Sequence, residues 1–125
     1  MSEILALGVS HKTAPLELRE RLSLTEGRSV AALRELTEAA TIEEAAAIST
    51  CNRTELYLVV SDPVEAESEA LGVLTRKAGT RPTELLGHLY SLRSIDASRH
   101  LLRVTAGLDS MIVGEAEIQG QVKRA

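Results

Sequence analysis

The chain has no Trp, no Phe and only two tyrosines, Tyr57 and Tyr90. Aromatic stacking platforms for single-stranded nucleic acid are therefore nearly absent, and the core has to be built from Leu, Ile, Val and Ala. There is a single cysteine, Cys51. That rules out an internal disulfide and a cysteine-rich metal site. A lone thiol fits a reducing compartment, and the chain is read as cytoplasmic. No apolar run reaches membrane-spanning length, and Met1-Ser2-Glu3-Ile4 lacks the basic-then-apolar order of a secretory signal. The net charge of −4 has the wrong sign for a non-specific grip on DNA. A polyanion would have to be met locally, by a patch such as Arg19, Arg21, Arg28 and Arg34. Gly107, Gly114 and Gly120 do not form a nucleotide-binding fingerprint.

What is present is ordinary for a globular protein. Hydrophobic residues make up 44% and charged residues 26% of 125 positions, which bounds the chain to one domain. A domain of this size buries roughly two-thirds of the surface its unfolded form exposes. Residues 4–9 are an apolar run that reads as a buried strand, followed by a polar loop to Pro15. Pro15 opens a short helix over 16–22. A second helix over 25–40 has Thr25 as its cap and Val30, Leu33 and Leu36 on one face. Residues 45–49 and 56–60 read as strands joined by a polar segment. Asp62-Pro63 starts a helix with Val64, Leu71, Leu74 and Ala78 on one face, and Gly79 stops it.

A short helix follows over 82–86, a strand within 88–92, and a helix over 95–106 capped by Ser94. A further helix begins near Asp109-Ser110, and the sequence shows no stop signal before Ala125. The order β-α-α-β-β-α-α-β-α-α predicts an α+β, ferredoxin-like sandwich. It has two β-α-β type units, with helices on one side of a mainly antiparallel sheet. Residues 1–112 form the domain, and 113–125 read as the start of a long linking helix.

Cys51 lies in Ser49-Thr50-Cys51-Asn52-Arg53-Thr54-Glu55, between two apolar runs rather than inside one. Hydroxyls, an amide and a guanidinium surround it. An ordinary thiol ionises near about 8.5, so catalysis needs a group that raises the thiolate fraction or a base that makes it on demand. Arg53, two residues on in an extended segment, could stabilise the thiolate or hold a substrate carboxylate in a two-pronged grip. Asn52, Thr50 and Thr54 suit a polar substrate. Three histidines, His11, His88 and His100, are available as a base, and the residues alone do not choose among them. They do not make a zinc-site spacing with Cys51.

Three motifs carry a resemblance. They are Gly8-Val9-Ser10-His11-Lys12-Thr13-Ala14-Pro15, then the Cys51 segment, then the run from His100-Leu101-Leu102-Arg103-Val104-Thr105-Ala106-Gly107 through Leu108-Asp109-Ser110-Met111-Ile112-Val113-Gly114-Glu115. In this order they resemble the N-terminal catalytic domain of glutamyl-tRNA reductase, over nearly the whole chain. The resemblance implies an oxidoreductase of tetrapyrrole (porphyrin and heme) biosynthesis. The thiolate of Cys51 would attack the ester of glutamyl-tRNA, and NADPH would reduce the resulting thioester to glutamate-1-semialdehyde. It implies Cys51 and His100 as catalytic residues, and Thr50, Asn52, Arg53, Ser110, Glu115, Ala116, Glu117 and Gln121 as substrate-binding residues. Ala116 and Glu117 stand where the family usually has Pro and Gln, and Glu117 puts a charge where an amide is common. NADPH would be bound by a domain absent from this chain, and the full-length protein would be a homodimer. This piece alone would at most form and hydrolyse the thioester.

Two other readings stand beside it. One is a ferredoxin-like module that binds an acylated tRNA or a protein without chemistry. The other is a redox-sensing thiol, which the lack of a resolving cysteine disfavours within one chain.

Overall fold

The computed structural model describes residues 2–106. The helix expected from Asp109-Ser110 and the linking-helix start at 113–125 lie outside the described residues, as do Ser110, Glu115, Ala116, Glu117 and Gln121. The elements are β1 Glu3–Ser10, α1 Leu16–Leu22, α2 Glu26–Glu38, β2 Ile42–Ser49, β3 Arg53–Val60, α3 Pro63–Ala78, α4 Pro82–Leu86, β4 Tyr90–Arg93 and α5 Ile95–Thr105. The four strands lie in the order β2-β3-β1-β4, and every neighbouring pair is antiparallel. This is the interleaved arrangement of two β-α-β halves, as the element order predicts.

β2 and β3 are longer than the apolar runs that announce them. Arg53, Thr54 and Glu55 are strand residues, opposite Ser10, Val9 and Gly8 of β1. Backbone pairing along β1 extends the ladder through a polar stretch whose side chains alone would suggest a joint.

Alternation sorts the sheet into two faces. Leu5, Leu7 and Val9 of β1 and Leu56, Leu58 and Val60 of β3 pack with residues of α1 to α4 in the main core. Ala6 and Tyr57 point the other way, where they meet Ile48, Ala97 and Val104. The helix layer expected on one side is thus α1 to α4, and α5 packs on the opposite face.

The helix ends largely follow the expected chemistry. Thr25 accepts from the Arg28 N–H at 3.3 Å, and Asp62 accepts from the Glu65 N–H at 3.3 Å. Gly79 ends α3 in the left-handed region at φ 64°. Ser94 stands at the head of α5 without a side-chain cap; at φ 54° its N–H instead donates to Ile4 O at 2.8 Å. Two expected apolar faces are rotated. Val30 and Val64 are exposed, while Ala32, Leu36, Ala66, Ala70, Val73 and Leu74 are buried. Alanines let α2 and α3 approach the sheet closely, so the buried stripe centres on them rather than on the valines. Among the described residues no helix is long and apolar enough to cross a membrane.

Candidate active site

The turn between β2 and β3 presents the thiol. Thr50 N–H donates to Arg53 O at 2.8 Å and the Thr50 hydroxyl accepts from Asn52 N–H at 3.1 Å, so the turn closes on itself. Cys51 is exposed at its tip.

Three separate segments pin this turn from outside. The His11 N–H donates to Asn52 O at 2.8 Å. Arg19 donates from Nη1 to Cys51 O at 3.0 Å and from Nε to Ala14 O at 3.2 Å. The Leu24 N–H donates to the Ser49 hydroxyl at 2.9 Å, which lies 3.0 Å from the Thr54 hydroxyl. The loop that supplies His11 is braced in turn. Ser10 N–H donates to the Thr13 hydroxyl at 3.0 Å, and Ala14 N–H donates to Ser10 O at 2.9 Å. His88 Nδ1 lies 2.9 Å from Thr13 O, so His88 ties the approach to β4 onto the same loop.

Arg19, Arg21 and Arg28 are each engaged with backbone carbonyls. Arg19 holds the turn, while Arg21 and Arg28 donate to the carbonyls of Ala78, Gly79 and Lys77 at the end of α3. There they complement the helix dipole.

Below the turn, on the α5 side of β3, lies a buried polar cluster. Arg53 is fully buried, and its Nη1 donates to Glu55 Oε2 at 3.3 Å. Glu55, only 1% exposed, also accepts from the Tyr57 hydroxyl at 3.0 Å, from the Tyr90 hydroxyl and from His100 Nε2. Tyr90 meets the His100 ring edge-on, with centroids 5.2 Å apart at 62°. His100 reaches the cluster because it shares the inward stripe of α5 with Ala97 and Val104.

Gly8 makes the space. A Cβ there would sit 2.5 Å from Thr54 O and 2.9 Å from the Glu55 Cα.

Burial pushes the Glu55 carboxyl up. The hydrogen bonds from His100 and Tyr90, with the charges of His100 and Arg53, outweigh this and hold it below the ordinary 4.5. Tyr90 is pushed well above its ordinary value, first by burial and then by the Glu55 charge. Glu55 is therefore an ionised acceptor, and Tyr90 a neutral donor to it.

Of the residues singled out in the sequence, the structure brings Thr50, Cys51 and Asn52 together on the turn, and Arg53 and His100 together around Glu55. His11 and His88 belong to the loop beside the turn. Glu55, Tyr57 and Tyr90 escaped sequence reasoning. Two signals were available: a single acid heading the run Leu56-Tyr57-Leu58-Val59-Val60, and a glycine inside the apolar strand β1. Among the described residues no group of three or more His, Cys, Asp or Glu side chains is arranged to hold a metal ion.

Fold and site define a ferredoxin-like α+β domain that displays a solitary thiol on a braced hairpin above a buried carboxylate–histidine cluster. A family profile described as "Glutamyl-tRNAGlu reductase, N-terminal domain" matches residues 7–125. The chain belongs to this family. It is 48% identical over 121 residues to the glutamyl-tRNA reductase of Cyanophora paradoxa, an alignment that covers 97% of this chain and 28% of that protein. It is 45% identical over 123 residues to the chloroplastic glutamyl-tRNA reductase 1 of Hordeum vulgare, covering 98% of this chain and 23% of that protein. The solved glutamyl-tRNA reductase of Methanopyrus kandleri superposes with a TM-score of 0.71 at 32% identity, over 97% of this chain and 26% of that one. The chain thus spans about a quarter of the proteins it matches.

Proposed function

We propose that this domain performs the acyl-transfer half of glutamyl-tRNA reduction, with Cys51 as the nucleophile. The observation that carries the reading is the exposed Cys51 thiol on a turn fixed by His11, Arg19 and Leu24. A nucleophile held in place loses little freedom on reaching its transition state. The Cys51 sulfur attacks the ester carbonyl and its proton leaves. The new C–S bond forms as the C–O bond to the tRNA ribose breaks, and the ribose oxygen is protonated. A glutamyl thioester remains, less resonance-stabilised than the oxygen ester and so a better hydride acceptor.

Thr50 and Asn52 border the thiol and are the substrate contacts of this reading. Arg53 lies beneath the turn with Glu55, so a carboxylate that pairs with its guanidinium has to enter below Cys51. Ser110, Glu115, Ala116, Glu117 and Gln121 are assigned to substrate binding in the same reading.

Dinucleotide binding of the Rossmann kind uses a glycine-rich turn between a parallel strand and a helix. The sheet of the described residues is antiparallel throughout, and among those residues no glycine opens a helix directly after a strand. These residues do not fit NADPH. Thioester reduction is therefore assigned to the remainder of the longer proteins, and the domain alone yields thioester followed by hydrolysis; the homodimer belongs to the full-length protein in this reading.

Intact-protein mass spectrometry after mixing with glutamyl-tRNA tests this against Cys51→Ala. A glutamyl adduct on the parent alone, released by hydroxylamine, is the expected result. No adduct on the parent, with equal ester turnover in both proteins, would overturn it in favour of a binding module.

A further inference from the structure

The buried cluster under the thiol contains a carboxylate with no proton to give. Glu55 receives Tyr57 on Oε1, and Arg53, Tyr90 and His100 on Oε2. An ionised carboxylate is acceptor-only, and a tyrosine hydroxyl beside it serves as a donor. The hydrogen bond between His100 Nε2 and Glu55 therefore requires the proton to sit on Nε2. In the neutral ring Nδ1 is then the basic nitrogen.

The ring has little room to choose otherwise. Tyr90 stands edge-on against it and donates to the same Glu55 oxygen. The His100 side chain is 16% exposed and the Glu55 side chain 1%. Gly8, opposite Glu55 on β1, lets the strands close over the carboxylate, since any Cβ would strike the Thr54 and Glu55 backbone.

We propose that Glu55 is a positioning residue that locks His100 as the Nε2–H tautomer, leaving Nδ1 as the nitrogen that takes and returns a proton during acyl transfer. This rests on the acyl-transfer reading above. In that step Nδ1 receives the proton released as the Cys51 sulfur bonds to the glutamyl carbonyl carbon. It returns the proton to the ribose oxygen as the C–O bond breaks, so the ring ends neutral as it began. Glu55 stays ionised throughout and steadies the transient imidazolium. An orienting carboxylate of this kind changes rate far more than substrate binding, because a wrong tautomer offers an N–H where a base is needed.

Two readouts on this chain test the assignment. Long-range 1H–15N NMR of the imidazole nitrogens at neutral pH is expected to show His100 protonated on Nε2 and bare on Nδ1. Glu55→Gln is expected to lose that bias, because an amide can present either a donor or an acceptor to the ring. The same variant should form the Cys51 adduct at least about tenfold more slowly than the parent. The glutamyl-tRNA concentration giving half-maximal rate should stay within about twofold, which loss of overall structure would not leave intact. Tyr90→Phe should keep the tautomer.

An Nδ1–H tautomer in the parent overturns the proposal, and needs no variant to fold. So does Glu55→Gln forming adduct at the parental rate. No adduct on the parent at all would instead sink the acyl-transfer reading, while the tautomer would still report on the Glu55–His100 pair.

Discussion

The two faces of one sheet are built on opposite rules. Toward α1 to α4, β3 contributes Leu56, Leu58 and Val60 to an apolar core. Toward α5 the same strand contributes Arg53, Glu55 and Tyr57, which bury a charged pair and a hydroxyl. The first face is stabilised by apolar area and close packing, and it tolerates volume-conserving exchange. The second depends on the hydrogen bonds that converge on Glu55, because removing one partner of a buried charge pair costs far more than the pair stabilises. The thiol turn sits at the end of β3, where the two rules meet. The apolar face makes the platform rigid, and the polar face places ionisable groups beneath it.

The sharpest way to break this contrast is to delete one charge. Glu55→Ala should destabilise the domain by about 3–5 kcal/mol in urea titrations, since it removes the buried carboxylate to which Arg53, Tyr57, Tyr90 and His100 are hydrogen-bonded. Replacing Arg53 by Met and Glu55 by Leu together should regain part of that loss, because both charges leave. It should not regain all of it, because Tyr90 and His100 lose their acceptor. A double variant no more stable than Glu55→Ala would show that the charges were not the source of the cost.

The apolar face supplies the control. Leu58→Ala should cost about 2–5 kcal/mol through lost burial and a residual cavity, and replacement by Met less than about 1.5 kcal/mol. If Leu58→Met proved as damaging as Leu58→Ala, the apolar face would be as fastidious as the polar one.

Gly8→Ala comes next. Its Cβ would meet backbone atoms of β3 at 2.5 and 2.9 Å, which cannot move aside as a side chain would. A loss of about 1–3 kcal/mol is expected, with His100 displaced from Glu55 in the NMR readout described above.

Acid should then separate the faces without mutation. Glu55 has its folded value below 4.5, its ordinary one. The unfolded chain therefore binds more protons over that interval. The stabilisation from Glu55 is full above the ordinary value and is lost as pH falls through the folded one. Acid titration of stability should be shallower in Glu55→Gln than in the parent, whereas Leu58→Met should keep the parental slope. Parallel acid limbs in parent and Glu55→Gln would contradict this.

How much of this could be read beforehand follows from the range of the forces involved. Element order and most caps were legible because they rest on neighbours in sequence: Thr25, Asp62 with Pro63, and Gly79 act where they stand. The α5 placement and the rotated stripes of α2 and α3 were not, since they depend on which partner an alanine meets. Cys51 stood out through its polar setting. Glu55 did not, because its meaning comes from Gly8, Tyr90 and His100, which lie 35 to 47 residues away and meet it only in the fold. Arg53 was legible as a functional residue type, but its full burial was not, because a polar segment before an apolar run looks like a turn until β1 pairs with it.

The smallest expected effect on stability concerns the brace between the two rules. Arg19 spans Ala14 O and Cys51 O at the surface. Arg19→Met keeps much of the apolar stem and removes both hydrogen bonds, so the stability loss should be only about 1 kcal/mol. The turn itself keeps its Thr50 bonds and its anchors from His11 and Leu24, so Cys51 should stay exposed and react with iodoacetamide within about twofold of the parental rate. Acyl transfer demands more than exposure. It needs the sulfur held at one distance and angle from a bound ester, and small misplacements are costly. Arg19→Met should therefore slow formation of the glutamyl adduct several-fold more than it slows alkylation, and Arg19→Lys, which can reach one carbonyl but not fork across two, should fall between. Equal slowing of both reactions would mean that Arg19 governs access to the thiol, and that the turn needs no brace from α1 to aim it.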